Sequence, residues 1–149
     1  MFNKNLFGEN SGPDKQQWVK KKIDGFSMNL NPYDGGISAA LYVQGGREKA
    51  FMGILENTVS EGMTAFDLGG NIGYTTLYMC RGVGASGKVY AVEPDPNNIE
   101  LLRANIAENN FSETCEITQC AISDEDKTLE FWQADKPNLS SVHKTKHST

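Results

Sequence analysis

The sequence predicts an α/β fold of the Rossmann-like kind, and three stretches carry that expectation. Met63 to Leu68 is a short, mostly apolar run that leads through Phe66-Asp67-Leu68 into the glycine turn Gly69-Gly70-Asn71-Ile72-Gly73. One unit later, the run Gly87-Lys88-Val89-Tyr90-Ala91-Val92 ends in Glu93-Pro94. A third run, Cys115 to Ile122, follows a helical pattern of Ile99, Leu102 and Ile106. Short apolar runs that alternate with helical periodicity describe βαβ units and a parallel sheet.

The elements follow in order. Residues 1–19 are polar, with Gly12-Pro13 and Asp14, and are expected as a flexible lead. Val19 to Val43 reads as a β-hairpin: Ile23, Phe26, Met28 and Leu30 on one strand, then Ala39, Leu41 and Val43 on the other, around Asn31-Pro32-Tyr33-Asp34-Gly35-Gly36. Arg47 to Ser60 is expected to be a helix that covers the sheet with Phe51, Ile54, Leu55 and Val59. Glu48, near its start, suits either the positive end of the helix dipole or a place beside a ligand. Met63 to Leu68 should be a buried parallel strand, and Tyr74 to Cys80 the helix after the glycine turn, with Leu77 facing inward. Asp95 is a natural N-cap and Pro96 suits the first turn of the next helix, which Asn109-Asn110 should end. The carboxyl end of the third strand, Ala121-Ile122-Ser123, should then reach the same rim as Asp67 and Glu93, where a small side chain and backbone amides can border a base ring. Thr128 to Trp132 is expected as an added hairpin strand, and residues 143–149 as a tail.

Composition narrows the function classes. With 149 residues, 38% hydrophobic and 22% charged, the chain suits a single folded core. A net charge of −5 makes a nucleic-acid partner unexpected. Met1 to Phe7 lacks a long apolar run, so neither a signal peptide nor a membrane span is expected. Cys80, Cys115 and Cys120 are an odd set without an export signal, which suits reduced thiols and a cytoplasmic location. Cys115-x4-Cys120 and His143-x3-His147 echo a zinc site, but the 22 residues between Cys120 and His143 are too many for a finger, so no metal is expected.

The glycine turn and its flanking acids define the candidate site. Gly69, Gly70 and Gly73 let a ligand approach the backbone, and the helix that begins near Ile72 would point free N–H groups at it. Ligands of open α/β sheets sit outside the carboxyl ends of the strands, where Asp67 and Glu93 both stand. Glu93 is placed to accept ribose hydroxyls. A nicotinamide site wants Gly-x-Gly-x-x-Gly, and a phosphate loop wants Lys followed by Ser or Thr; neither is present. Asp67 beside the turn would repel a diphosphate but suits an ammonium and a sulfonium. These residues point to S-adenosylmethionine.

Phe66-Asp67-Leu68-Gly69-Gly70-Asn71-Ile72-Gly73-Tyr74-Thr75-Thr76, Val92-Glu93-Pro94-Asp95-Pro96, Leu101-Leu102-Arg103-Ala104-Asn105 and Ala121-Ile122-Ser123-Asp124 resemble the FkbM-type methyltransferases. Gly36-Ile37-Ser38 and Arg47-Glu48 fit that family's lead-in, and Asn138-Leu139-Ser140-Ser141 resembles its polar loop before a fourth strand. The likeness covers residues 20–142 and departs at Gly70, where the family more often has alanine. It implies a class I methyltransferase fold that transfers a methyl group from S-adenosylmethionine to a hydroxyl of a saccharide or other small molecule. The family's later Asp-x-Glu-Gly stretch has no match after Asp124, so the fold is expected to be incomplete at its carboxyl end. Asp67, Gly69, Gly70, Asn71, Gly73, Tyr74, Glu93, Pro94, Ala121 and Ile122 are the expected cofactor residues; no residue stands out as the catalytic base. The alternative is a non-catalytic methyltransferase-like binding module or a truncated inactive fragment.

Overall fold

The computed structural model describes residues 18–124. The expectations for the lead before Trp18, for Thr128 to Trp132, for Asn138 to Ser141 and for the tail lie outside the described residues.

The hairpin forms earlier and tighter than the sequence suggested. Strands β1 (Val19–Ile23) and β2 (Phe26–Leu30) pair antiparallel, with Ile23 opposite Phe26. The turn is Asp24-Gly25, both at positive φ (49° and 89°), the two-residue geometry that matches the twist of paired strands. Ala39, Leu41 and Val43 therefore do not form the second strand; they lie in helix α1 (Ile37–Gln44). Asp34 decides this locally, because its Oδ1 accepts the N–H groups of Gly36 (2.8 Å) and Ala39 (3.0 Å) and so starts a helical turn. Ser38 and Leu41, three apart, are the buried pair, while Val43 is exposed.

Helix α2 (Lys49–Thr58) is shorter than expected and rotated from the expected stripe. Met52 and Leu55 are its buried residues, whereas Phe51 and Ile54 are exposed. Strands β3 (Thr64–Leu68), β4 (Lys88–Val92) and β5 (Cys115–Thr118) form a parallel sheet in the order β3-β4-β5. Helix α3 (Tyr74–Val83) joins the first two, and α4 (Pro96–Glu108) the second two. Both crossovers step the same way along the sheet, and right-handed connections then put both helices on one face. Leu77, Val83, Val89, Ala91, Ile99, Leu102 and Ile106 fill the core there. The expectation of a buried β3 holds for one face only. Phe66 and Leu68, each 63% exposed, lie on the other face, with Phe66 stacked on Tyr90 at 5.3 Å.

β5 stops at Thr118, four residues short of the expected Ile122. Its last partner is Val92, and beyond that β4 gives way to Glu93-Pro94, where proline offers no N–H for a ladder. Asp95 caps α4 as expected, accepting the Asn97 N–H at 2.8 Å, with Pro96 in the first turn.

Two amides on α4 close the open edge of the hairpin. Asn105 Oδ1 accepts the Asn29 N–H (2.6 Å), and its Nδ2 donates to the carbonyls of Asn29 (3.2 Å) and Ile72 (2.8 Å). Four residues on, Asn109 makes the same pair of bonds to Ser27, at 2.9 and 2.8 Å. Four residues of helix rise about 6 Å and two residues of strand about 6.7 Å, so one helix face can serve alternate residues of one strand. Among the described residues this pairing takes the place of a further strand beside β2. Asn105→Ala leaves the half-buried N–H and carbonyl of Asn29 and the buried carbonyl of Ile72 without this partner, so it is expected to cost about 2–3 kcal/mol. Urea denaturation checks this as a lower midpoint at unchanged slope, with a smaller loss for Asn109→Ala at the half-exposed end.

Candidate functional site

The ends of β3 and β4 are tied together by three consecutive amides. Gly69 and Gly70 both donate to the Val92 carbonyl, at 2.8 and 2.9 Å. The Asn71 N–H donates to Glu93 Oε2 at 2.9 Å. The turn then closes on itself: Ile72 donates to Asn71 Oδ1 (2.9 Å) and Gly73 to the Gly70 carbonyl (2.8 Å). The amides expected to face a ligand near Ile72 are thus held within the protein. The helix starts two residues later, and the first-turn amides of Tyr74, Thr75 and Thr76 are those that helix geometry leaves without intrahelical acceptors.

Gly73 illustrates why the turn needs glycine. Its φ is +92°, and a Cβ there would stand 2.7 Å from Leu102 Cδ1. Gly70 is different: a Cβ would meet Thr76 Oγ1 at 3.3 Å and Leu102 Cδ2 at 3.4 Å, a fit that small relaxation can satisfy. That accounts for alanine as an alternative at this position.

Asp67 and Glu93 are both buried, at 7% and 6% exposure; Asp67 stands opposite Ala91 on β4, and Glu93 follows two residues later, near enough for its charge to act on Asp67. Asp67 Oδ2 accepts the Thr76 hydroxyl at 2.6 Å. Burial pushes the Asp67 carboxyl above its ordinary range; the Thr76 bond draws it back and the charge of Glu93 raises it further. Glu93 Oε1 accepts the Asp95 N–H (3.0 Å) and Asn98 Nδ2 (3.1 Å). With Asn71 this makes three donors, close to the four a carboxylate can take. Both ion pairs among the described residues, Lys20–Glu108 and Arg81–Glu56, are exposed and elsewhere.

Gly69, Gly70, Asn71 and Tyr74 line a cavity of about 80 Å³, partly open to solvent, together with Ile37, Arg47, Glu48, Ile72 and Thr75. Asp67, Gly73 and Glu93 are not among its lining residues, and Pro94, next to Glu93 in the chain, is half-buried. Ala121 and Ile122 come three and four residues after β5 ends, with Ile122 61% exposed; neither lines this cavity. Tyr74 serves a further purpose: its hydroxyl accepts the Arg47 N–H (3.1 Å) and donates to Asp24 (2.6 Å). Burial, then the Asp24 bond, raise its pKa. Arg47, Thr76 and Asn98 were not singled out as site residues from the sequence. Thr76 and Asn98 sit in the first turns of α3 and α4, a position that could have suggested them; no spacing signals Arg47. Among the described residues no cluster of three or more His, Cys, Asp or Glu could hold a metal.

Comparisons with known proteins agree with this geometry. The chain is 37% identical over 54 residues to a protein-L-isoaspartate O-methyltransferase of Methanococcoides burtonii, covering 36% of this chain and 27% of that protein. A second one, from Methanothrix thermoacetophila, is 44% identical over 46 residues (31% and 22%). The chain spans about a quarter of the length of these curated relatives. Among solved structures, the M. jannaschii tRNA m1G37 methyltransferase matches with a TM-score of 0.54 and 22% identity, over 76% of this chain and 31% of that one. P. horikoshii TYW2 in complex with MeSAdo matches with a TM-score of 0.53 and 17% identity, over 70% and 36%. These structures show the fold, a partial class I methyltransferase domain. The Methyltransferase FkbM domain profile matches residues 67–149, more than half of the sequence, and the chain belongs to that family of S-adenosylmethionine-dependent methyltransferases.

Proposed function

We propose that the chain binds S-adenosylmethionine at the carboxyl ends of β3 and β4 and serves methyl transfer to a hydroxyl of a saccharide or other small molecule. The observation that supports this most is the pair of buried carboxylates, Asp67 and Glu93, beside a glycine-lined cavity and without a buried cation among the described residues. Burying two like charges is unfavourable unless something positive completes the site. A sulfonium answers that requirement, and a nicotinamide diphosphate does not.

The residues present fit the cofactor. The bare backbone of Gly69 leaves space, since a Cβ there would meet nothing within 4 Å. Glu93 keeps acceptor capacity for a ribose hydroxyl while its three donors hold it rigid. Asp67, fixed by Thr76, sets a negative potential at the rim. When bound, S-adenosylmethionine supplies a methyl group already activated by the sulfonium. The protein's task is then mainly to hold the acceptor oxygen close and in line, with a general base for its proton.

The hydroxyl acceptor rests on the family likeness. The relatives and fold neighbours are named for protein isoaspartate and tRNA, but the tRNA-named proteins share only the fold. The net charge of −5 also opposes a polyanionic acceptor. No helix among the described residues is long and apolar enough to cross a membrane.

Isothermal titration of the chain with S-adenosylmethionine and S-adenosylhomocysteine is expected to give saturable heats, about tenfold weaker or more in Glu93→Gln. A folded chain that gives no heat with either ligand overturns the cofactor reading; binding with no transfer to any saccharide acceptor leaves the binding-module alternative.

Asp67→Asn provides a second check. With the folded-state pKa raised, the unfolded chain releases this proton first, so stability falls as pH rises from the ordinary aspartate range through the raised value. Asparagine can still accept the Thr76 bond without the charge. The ligand-free variant is therefore expected to unfold at higher urea at pH 7, yet to bind S-adenosylmethionine about tenfold more weakly. A variant that is less stable and binds equally well would contradict both halves.

A further inference from the structure

The cavity has a second wall that the two buried acids do not explain. Between α1 and α2 the chain passes Gly45 and Gly46 to Arg47 and Glu48. The Tyr74 hydroxyl holds the Arg47 backbone, and Tyr74 follows the glycine turn directly, so this loop is fastened to the turn across the cavity. Glu48 stands at φ +49°, a left-handed conformation that costs a non-glycine residue about 1 kcal/mol or more. Both residues line the cavity with Gly69, Gly70 and Asn71. Among the described residues, neither the Arg47 guanidinium nor the Glu48 carboxylate has a hydrogen bond or an ion pair, although Arg47 is half-buried.

A guanidinium and a carboxylate on adjacent residues, one of each sign and both uncommitted, match a zwitterion. We propose that Arg47 and Glu48 grip the amino-acid end of the cofactor, Arg47 bonding its α-carboxylate and Glu48 its α-ammonium. This rests on the cofactor reading above and deepens it. The division of labour is chemical. Asp67 and Glu93 are buried and face the sulfonium and ribose side, whereas the more exposed Arg47-Glu48 pair meets the charged tail at the cavity mouth. Arginine suits a carboxylate because its planar fork donates two parallel bonds. Tyr74 and Asp24 act as positioning residues that hold the loop in place.

The test compares ligands with and without the tail. S-adenosylhomocysteine carries the amino-acid end, and 5′-methylthioadenosine has the same nucleoside and thioether without it. Wild-type protein is expected to bind the former more tightly in isothermal titration. Arg47→Gln and Glu48→Gln should each weaken S-adenosylhomocysteine by about tenfold while changing 5′-methylthioadenosine by less than about twofold. Neither side chain has a partner to lose among the described residues, so urea midpoints should match the wild type. If both variants keep the wild-type preference for the tail, or lose both ligands equally, the grip is overturned and the cofactor reading stands. If wild-type protein binds neither ligand, the cofactor reading itself fails.

Discussion

Three successive amides, those of Gly69, Gly70 and Asn71, all donate to the end of β4, and the site depends on that capture. Two of them share one carbonyl, Val92, and the third takes the Glu93 carboxylate. A buried carboxylate is tolerable only when it is well bonded, and Glu93 has three donors at 2.9–3.1 Å. The same bonds fix where the glycine turn lies and where α3 begins. They also hold Asp67, one strand over, beside a second carboxylate. The turn and the acids are thus one unit, and a change in Glu93 moves the backbone as well as the charge.

The surrounding elements hold this unit from the other side. Asn105 reaches the Ile72 carbonyl from α4 and the Asn29 backbone in the hairpin with one side chain. Tyr74 joins the turn to the α1–α2 loop and to the hairpin tip at Asp24. The hairpin that precedes the parallel sheet therefore does not merely cover the core; through Asp24 it holds Tyr74, which lines the cavity. The proposed binding groups stand on these elements or on the short loops between them, which suits a site proposed to present fixed charges to a small cation.

Much of this was legible in the sequence. The parallel strands, the Asp95 cap, the Ile99, Leu102 and Ile106 stripe, and the rim carrying Asp67 and Glu93 follow from alternation, helical spacing and turn chemistry. The hairpin was misplaced because Ala39, Leu41 and Val43 alternate as a strand would, while the Asp34 side chain starts a helix there. The end of β5 was overrun because the apolar run continues past the last residue that β4 can pair. Arg47 was marked only as part of the family's lead-in, with no role: what brings it to the cavity is the Tyr74 hydroxyl, 27 residues away in sequence. Contacts between side chain and distant backbone leave no period to read.

The most direct measurement is the titration of the Asp67 side-chain carboxyl carbon by NMR, with and without S-adenosylmethionine. Without ligand, burial and the neighbouring Glu93 should hold its pKa above the ordinary aspartate range. Binding of the cationic cofactor should bring it down, and by more than S-adenosylhomocysteine does, since that ligand has no sulfonium. A pKa that stays in place on saturation with S-adenosylmethionine, or that rises, would contradict a cation held near these two acids.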